Sequence, residues 1–332
     1  MARLLSLLFI LMGLLVYWFW SGYQDFLETP LKLPEQGLVL NVEPGTNLRR
    51  LGEKLAQEQV LEHPGYLYWH ARWNKLAHRI RAGEYRVPVG TTPPALLELL
   101  VRGQTISYSL TLLEGWNFRQ VMDAIRNDPV LRQELTGLDD EQIMSRLGRP
   151  GLHPEGRFFP DTYWFPRGTS DIDFLKRAFA RMHKELEAAW AGRDKEAIMV
   201  KNTEQALILA SIIEKETGVA AERPQIAGVF TRRLRIGMKL QTDPTVIYGM
   251  GARYQGNIRR KDLREDTPYN TYVHRGLTPT PICMPGRAAL DAALNPKEGK
   301  SLYFVSRGDG THAFSATLKQ HNAAVRRYQL KK

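Results

Sequence analysis

The fold is decided by one stretch in the second half of the chain, Ala206-Leu-Ile-Leu-Ala-Ser-Ile-Ile-Glu-Lys-Glu-Thr-Gly218. Thr203, shortly before it, favours a helix start, and the glycine at its end is typical of a helix stop. The stretch is too apolar for a surface helix, because such a helix keeps one polar face toward water. We therefore expect a buried helix around which the rest of a domain packs.

The two glutamates near the end of this helix are not equivalent. Glu216 lies seven residues after Leu209, on the helix face that also carries the isoleucines, whereas Glu214 points elsewhere. A carboxyl group beside apolar walls is disfavoured as an anion, so its pKa rises and it can act as a general acid near neutral pH. The other interpretation is that Glu216 only ends the helix and pairs with an arginine.

The composition is that of a globular chain with a basic excess. Its 332 residues are enough for two or three domains, and 43% of them are hydrophobic while 24% are charged. The net charge of +11 favours an anionic partner, unless the excess is simply spread over solvated faces. Nucleic acid is disfavoured, because the sequence has no zinc-ligand set, no helix-turn-helix punctuation and no basic-aromatic RNA-binding pattern. The eight histidines show no metal-ligand spacing, so we expect neither a metal nor a cofactor.

The first 23 residues predict a cytoplasmic N-terminus followed by a transmembrane anchor. The run from Leu4 to Tyr23 carries no charge and, at about 1.5 Å per residue in a helix, reaches roughly 30 Å, the thickness of a bilayer core. It ends in the aromatic residues Tyr17-Trp-Phe-Trp20 and not in the small residues of a signal-peptide cleavage site. Arg3 favours a cytoplasmic N-terminus, which places the body of the protein in the periplasm, outside a bacterial inner membrane.

Residues 24–37 read as a short proline-containing linker, and a diffuse repeat follows it. The repeat is predicted three times, around Val42, Val87 and Leu112. Each copy has a short strand, a glycine turn, a capping residue and an amphipathic helix, in that order. Small strand-helix-helix-strand units of this kind resemble LysM modules, which bind N-acetylated sugar polymers. We assign residues 38–105 to a LysM-like domain, with a plain packing domain as the alternative.

Two loops after the central helix carry polar side chains and little charge. The first contains Gln241, Thr242 and Asp243, and the second contains Tyr269 and Asn270. Amide, hydroxyl and aromatic groups suit sugar recognition better than phosphate or metal binding. The alternative is that Asp243 and Asn270 only shape turns.

Three other candidates are assigned structural roles. The loop Glu155–Tyr163 is dense in aromatic residues and proline, and we expect these rings to pack in a core although such rings also stack on sugars. His312 is a further site candidate, for which a hydrogen-bonded core histidine is the favoured interpretation. Cys283 is the single cysteine, so an internal disulfide bond is excluded.

Four motifs in the second half of the chain resemble those of the YceG-like endolytic murein transglycosylases. The resemblance is carried by the segments Ser211–Thr217, Leu240–Gly249, Tyr269–Tyr272 and Gly276–Ile282. Lytic transglycosylases place the catalytic glutamate directly before Ser or Thr near a helix end, which Glu216 matches and Glu214 does not. The run Ile282–Gly286 departs from the family, which more usually has small or amide residues there.

The resemblance implies an α+β fold with an N-terminal transmembrane helix, a small LysM-like domain and a larger mixed catalytic domain over residues 106–332. It implies cleavage of the β-1,4 bond between N-acetylmuramic acid and N-acetylglucosamine in nascent glycan strands, which limits strand length during wall synthesis. The C6 hydroxyl of the muramoyl sugar attacks its own C1 and leaves a 1,6-anhydro end, without water and without a cofactor. The implied partners are peptidoglycan glycan strands, the inner membrane and peptidoglycan synthases.

The resemblance and the helix position select the same acid/base group, Glu216. The residues expected to orient it or the sugars are Gln241, Thr242, Asp243, Tyr269 and Asn270. One glutamate suffices when the nucleophile belongs to the substrate, whereas a hydrolase usually needs two carboxylates. Two alternatives stay open: an anchored peptidoglycan-binding scaffold in which Glu216 is only structural, and a lysozyme-like hydrolase with Asp243 as its second carboxylate.

Overall fold

The chain divides into two units, each with its own hydrophobic core. The computed structural model describes residues 2–330, with side chains from residue 9 onward. The N-terminal unit comprises Met1–Tyr108 and Trp164–Gly168, and the C-terminal unit comprises Ser109–Tyr163 and Thr169–Lys332.

The N-terminal unit combines helices with a two-stranded antiparallel sheet. Its elements are α1 (Ala2–Glu28), β1 (Leu38–Val42), α2 (Leu48–Gln57), α3 (Pro64–Trp73), β2 (Gly83–Val87) and α4 (Pro93–Arg102). Leu40 of β1 pairs with Tyr85 of β2, and both side chains are buried. One face of this sheet and the leucines of α2 and α4 therefore share a core, as alternation in strands and amphipathic spacing in helices require.

The first helix, α1, is 27 residues long. Its large apolar side chains between Phe9 and Trp20 are exposed, and its far end packs on α3 through Tyr23, whose hydroxyl lies 2.7 Å from Nδ1 of His70. The predicted anchor begins at Leu4, among residues whose side chains lie outside the described part of the chain. Within the described residues, no helix combines the length and the apolar character needed to cross a membrane.

The C-terminal unit is mostly helical. The chain passes between the units in two paired strands, β3 (Ser107–Thr111) and β4 (Thr162–Pro166). The other elements are α5 (Phe118–Arg126), α6 (Asp140–Arg146), α7 (Asp171–Ala191), α8 (Thr203–Glu216), α9 (Arg223–Arg235), α10 (Asp243–Met250), α11 (Arg287–Leu294), β5 (Tyr303–Ser306), β6 (His312–Ser315) and α12 (Leu318–Tyr328). Short 3₁₀ turns lie at Ala220–Glu222, Gly251–Arg253 and Asp262–Arg264. β5 and β6 pair antiparallel, and the α+β class expected from the sequence is confirmed.

The prediction of a buried central helix is confirmed by α8. Every residue from Ala206 to Glu214 is buried, and the helix packs against α7, α9 and α11. Its start is capped by Asn202, whose side chain accepts a hydrogen bond from the Gln205 amide, and Thr217 leaves the helix in an extended conformation. Because α8 is enclosed on every side, its position is set by packing and the two carboxyl groups at its end are held in place.

The run Ile282–Gly286, which departs from the family pattern, packs against α8. All five residues are buried, and the backbone amide of Ile282 donates a hydrogen bond of 3.0 Å to the Ser211 hydroxyl oxygen. The Cys283 thiol donates to the carbonyl oxygen of Ser211, and burial raises the pKa of this thiol. The side chains of this run therefore serve packing, and its backbone joins it to the central helix.

Replacing a core residue of α8 tests how much the fold depends on this helix. Ile212 is fully buried, so Ile212→Ala is expected to destabilise the chain by about 2–5 kcal/mol through lost burial and a cavity. Ile236 is 61% exposed, so the matched Ile236→Ala is expected to cost no more than about 0.5 kcal/mol. Thermal and urea denaturation of the full chain measures both, and equal shifts for the two variants would contradict the central position of α8.

Candidate active site

Glu216 is the last residue of α8, and its side chain lines a cavity of about 460 Å³. The residue is half-buried, and one carboxyl oxygen accepts a hydrogen bond from the Thr242 hydroxyl. Gln241, Thr242 and Asp243 line the same cavity. The structure thus brings together Glu216 and the first predicted loop, although 26 positions separate Glu216 from Thr242.

The loop that carries Thr242 is held in a strained conformation. Gln241 has a φ of 51°, in the left-handed region that residues other than glycine rarely adopt. The buried Thr271 stabilises this turn, because its carbonyl oxygen accepts from the Gln241 amide at 3.2 Å and its hydroxyl oxygen accepts from the Thr242 amide at 3.1 Å. The turn therefore aims the Thr242 hydroxyl at Glu216.

The surroundings of Glu216 keep it protonated near neutral pH. Burial raises the pKa of Glu216 to about 7, and the nearby Asp243 carboxylate adds to the increase. The hydrogen bond from Thr242 and the charges of His312 and Arg233 oppose it. A carboxyl group with this pKa can donate a proton at the pH where it works and accept one later in the same reaction.

Asp243 and Arg233 are charged groups of the same cavity. Asp243 is exposed at the start of α10 and accepts a hydrogen bond of 2.6 Å from the Tyr272 hydroxyl. Arg233 is buried on α9, and its guanidinium donates to the carbonyl oxygens of Leu302 and Leu240, at 2.6 Å each. Sequence reasoning missed Arg233, because nothing in the local pattern of α9 separates it from neighbouring surface arginines.

Glu214 lies in surroundings that differ from those of Glu216. It is buried, its carboxylate pairs with the Arg223 guanidinium at 2.8 Å, and it accepts the Gly286 amide at 2.9 Å. The pairing with an arginine that was considered for Glu216 therefore belongs to Glu214. Because α8 is buried all round, the residue that points away from the cavity needed a partner in the protein.

The structure places Asn270 away from the predicted substrate contact. It is 1% exposed, and its amide donates to the carbonyl oxygens of Asp262 and Glu265 at 3.1 and 2.8 Å. Its side-chain oxygen accepts the Tyr272 amide at 2.9 Å. The hydrogen-bonding capacity of Asn270 is used by the backbone of its own loop, so its contribution is to hold Tyr272 beside Asp243.

Tyr269 lies in a second cavity and not in that of Glu216. The Tyr269 hydroxyl is 2.8 Å from the Thr280 hydroxyl, and its ring meets Tyr248 edge to face at 4.8 Å. The same cavity contains Glu155, a 3%-exposed carboxyl group that sequence reasoning missed. Burial raises the pKa of Glu155 to about 7, against the hydrogen bonds that it accepts from the Phe118 amide and the Tyr248 hydroxyl, both at 3.0 Å.

The aromatic rings of the loop Glu155–Tyr163 pack as predicted. Phe158 is fully buried and stacks on Phe118 with 5.4 Å between the ring centroids. Phe158 and Phe118 thus close the core. Glu155 could have been recognised from the sequence by its position three residues before the buried neighbours Phe158 and Phe159. An acidic residue at the edge of a buried segment has to be either paired or neutral.

His312 is hydrogen-bonded as predicted, but it also lines the cavity of Glu216. Its Nδ1 atom lies 2.8 Å from Glu222, whose other oxygen accepts the His312 amide, also at 2.8 Å. Glu222 fixes the ring, and among the described residues no three or more His, Cys, Asp and Glu side chains are placed to hold a metal ion. The arrangement is one half-buried acid among hydrogen-bonding and aromatic groups.

Comparison with known proteins identifies the family. Residues 40–327 match the sequence profile of the YceG-like family. The chain belongs to the YceG-like family. The resemblance that rested on the segments around Glu216, Thr242 and Tyr269 is thereby confirmed.

Relatives within the YceG-like family cover most of the chain. An endolytic murein transglycosylase of Bacillus subtilis is 32% identical over 92% of this chain and 88% of its own length. An endolytic murein transglycosylase of Streptococcus pneumoniae is 25% identical over 86% of this chain and 57% of its own length. A crystal structure of a YceG-like protein of Listeria monocytogenes has a TM-score of 0.56 and 26% identity, covering 87% of this chain and 99% of that one.

Because the pKa of Glu216 is raised in the folded chain, the free energy of unfolding is expected to depend on pH. Between pH 4.5 and 7 the folded chain keeps this proton while the unfolded chain loses it, so stability decreases as the pH rises through that range. Glu216→Gln removes the effect and is expected to be more stable than the original chain at pH 8, on the order of 1–3 kcal/mol. Below pH 4.5 the difference is expected to vanish.

Denaturation midpoints at pH 4 and pH 8 measure this difference. Glu141→Gln, at an exposed position of α6, is the matched control and is expected to show no such dependence on pH. A Glu216→Gln chain that is less stable than the original at pH 8 would show that the carboxylate is ionised and favourably paired.

Proposed function

We propose that this protein is an endolytic peptidoglycan lytic transglycosylase with Glu216 as its acid/base group. It cleaves the β-1,4 bond between N-acetylmuramic acid and N-acetylglucosamine and forms 1,6-anhydro-N-acetylmuramic acid ends. The observation that carries the proposal is a carboxyl group of pKa about 7 at the wall of a cavity, oriented by Thr242. The relatives in Bacillus subtilis and Streptococcus pneumoniae, named endolytic murein transglycosylases, support it.

In the first step the protonated Glu216 gives its proton to the glycosidic oxygen. The bond from that oxygen to C1 of the muramoyl sugar breaks, and N-acetylglucosamine leaves with a free C4 hydroxyl. Positive charge develops at C1 and the ring oxygen, and the cavity offers the carboxylates of Glu216 and Asp243 against it. Asp243 is held for this by the Tyr272 hydroxyl, and Tyr272 is held by Asn270.

In the second step Glu216, now a carboxylate, accepts the proton of the C6 hydroxyl as that oxygen bonds to C1. The protonated acid is restored, and atoms and charge balance without water. The hydrogen bond from Thr242 stabilises the carboxylate and not the acid, which keeps the pKa from rising further. Gln241 and Thr242 line the same cavity and are proposed to orient Glu216 or the sugars, while Tyr269 acts from the second cavity.

We further propose that the protein acts at the bacterial inner membrane. A cytoplasmic N-terminus and anchor over residues 1–23, a linker over 24–37 and a LysM-like domain over 38–105 would precede a periplasmic catalytic domain over 106–332. The uncharged run from Leu4 to Tyr23 and the exposed apolar side chains of α1 support the anchor. The strand-helix-helix-strand order from β1 to β2 supports the LysM-like assignment. Peptidoglycan synthases are the partners that this location favours.

Replacing the acid tests the catalytic assignment. Glu216→Gln keeps the size of the side chain but cannot exchange a proton, so cleavage of uncrosslinked glycan strands is expected to fall by about 10²–10⁴-fold. Mass spectrometry of the products is the measurement, with Glu141→Gln as a control that retains activity. Undiminished anhydro products from Glu216→Gln would end the assignment, reducing muramoyl ends from the original chain would indicate a hydrolase, and no cleavage at all would indicate a scaffold.

The pH dependence of the rate follows from the same group. Glu216 must be protonated before the first step, so kcat/KM is expected to decrease about tenfold per pH unit well above pH 7. Thr242→Val removes the hydrogen bond that favours the carboxylate, and the descending limb is then expected to move to higher pH. A limb that stays in place in Thr242→Val would show that another group titrates in the reaction.

A further inference from the structure

A second cavity of about 730 Å³ lies in the C-terminal unit, and Tyr269 is the one residue of its wall to which the proposed function gives a role. Its walls come from α5, α10 and the loop before Phe158, and three tyrosines line it: Tyr248, Tyr254 and Tyr269. Around them lie amide groups of Asn117 and Gln120. The charged side chains of Arg119, Asp140 and Lys215 also line the cavity. Sugar rings are commonly bound by aromatic faces beside groups that can form hydrogen bonds, charged or not.

Protein hydrogen bonds hold the buried carboxyl group of Glu155 at the floor of this cavity. Glu155 is 3% exposed, and its carboxyl oxygens accept from the Phe118 amide and the Tyr248 hydroxyl, each at 3.0 Å. Because burial raises the pKa of Glu155 to about 7, the floor carries little charge below that pH. An uncharged, hydrogen-bonded floor suits a neutral polar ligand better than an ion.

The second cavity adjoins the cavity of Glu216 at two places. Lys215 lines the second cavity and Glu216 lines the first, and Pro244 lines the second while Asp243 lines the first. Consecutive residues have Cα atoms about 3.8 Å apart, so neighbouring residues form the walls of both cavities at the end of α8 and at the start of α10. A strand bound in both cavities would therefore run close to the end of α8, which carries Glu216.

We propose that the second cavity is a binding site for N-acetylated sugar rings of the glycan strand on one side of the cleaved bond. The cavity of Glu216 binds the sugars on the other side. Tyr254 offers a ring face. The side-chain oxygens of Asn117 and Gln120 cap the start of α5, which leaves their NH2 groups to donate to the acetamido and hydroxyl oxygens of the sugars. The inference rests on the proposed function and deepens it, because an enzyme that cuts within a strand has to hold the strand on both sides of the bond.

Binding of glycan strands to the Glu216→Gln chain tests this site without cleavage. Tyr254 is half-buried and lines the cavity, so adding Tyr254→Ala is expected to weaken the Kd for uncrosslinked strands about tenfold. Tyr328→Ala removes a half-buried tyrosine that lines neither cavity, and it is expected to leave the Kd unchanged. Equal affinities in the two variants would overturn the proposal.

A second variant, which fills the cavity with a bulky side chain, tests the site even if Tyr254→Ala folds poorly. Ala252 is exposed and lines the cavity, so Ala252→Trp places a bulky ring in it, whereas Ala323→Trp changes an exposed position of α12 that lines neither cavity. Ala252→Trp is expected to lower kcat/KM on long strands at least tenfold and to change the lengths of the products. Product lengths identical to those of Ala323→Trp would refute the second site.

The two proposals fail in distinguishable ways. Strand binding that depends on Tyr254, without any cleavage by the original chain, would refute the transglycosylase and keep the binding site. Cleavage that depends on Glu216 but is unaffected by Tyr254→Ala and Ala252→Trp would keep the enzyme and refute the site.

Discussion

The hydrogen bond from the Thr242 hydroxyl to Glu216 joins the two elements on which the geometry of the site rests. Glu216 ends α8, whose residues from Ala206 to Glu214 are buried, and Thr242 directly precedes α10. Close packing holds the first partner, and the hydrogen bonds to Thr271 hold the strained turn of the second. An acid fixed in this way meets its substrate without the reorganisation that a mobile side chain would require.

Burial raises the pKa of both neighbouring glutamates, but the groups that compensate for it differ. Glu214 receives a guanidinium and a backbone amide, so the protein satisfies its charge. Glu216 receives one hydroxyl and lies near another carboxylate, so the neutral form is favoured and the pKa rises. One short helix end thus holds a buried ion pair and a carboxyl group of raised pKa only two residues apart.

The site is poor in net charge although the chain as a whole carries +11. The cation nearest to Glu216 on α9, Arg233, is bound by backbone carbonyl oxygens, and Asp243 is bound by Tyr272. Because Arg233 and Asp243 are already hydrogen-bonded within the protein, the cavity favours a substrate that is recognised through its hydroxyl and amide groups.

Local patterns in the chain were sufficient for the buried helix and for the loop that meets Glu216, and they are the basis on which Glu216 is predicted over Glu214 as the acid. Each of these depends on helical periodicity or on a short motif, which neighbouring residues encode. The surroundings of Glu155, His312, Tyr269 and Asn270 depend instead on contacts between segments that are distant in the chain. Glu155 meets Tyr248 across 93 positions and His312 meets Glu222 across 90, and no periodicity reports contacts at such separations. For the same reason Tyr269 and Asn270, neighbours in the chain, lie in different surroundings: one faces a cavity, and the other is held by the backbone that surrounds it.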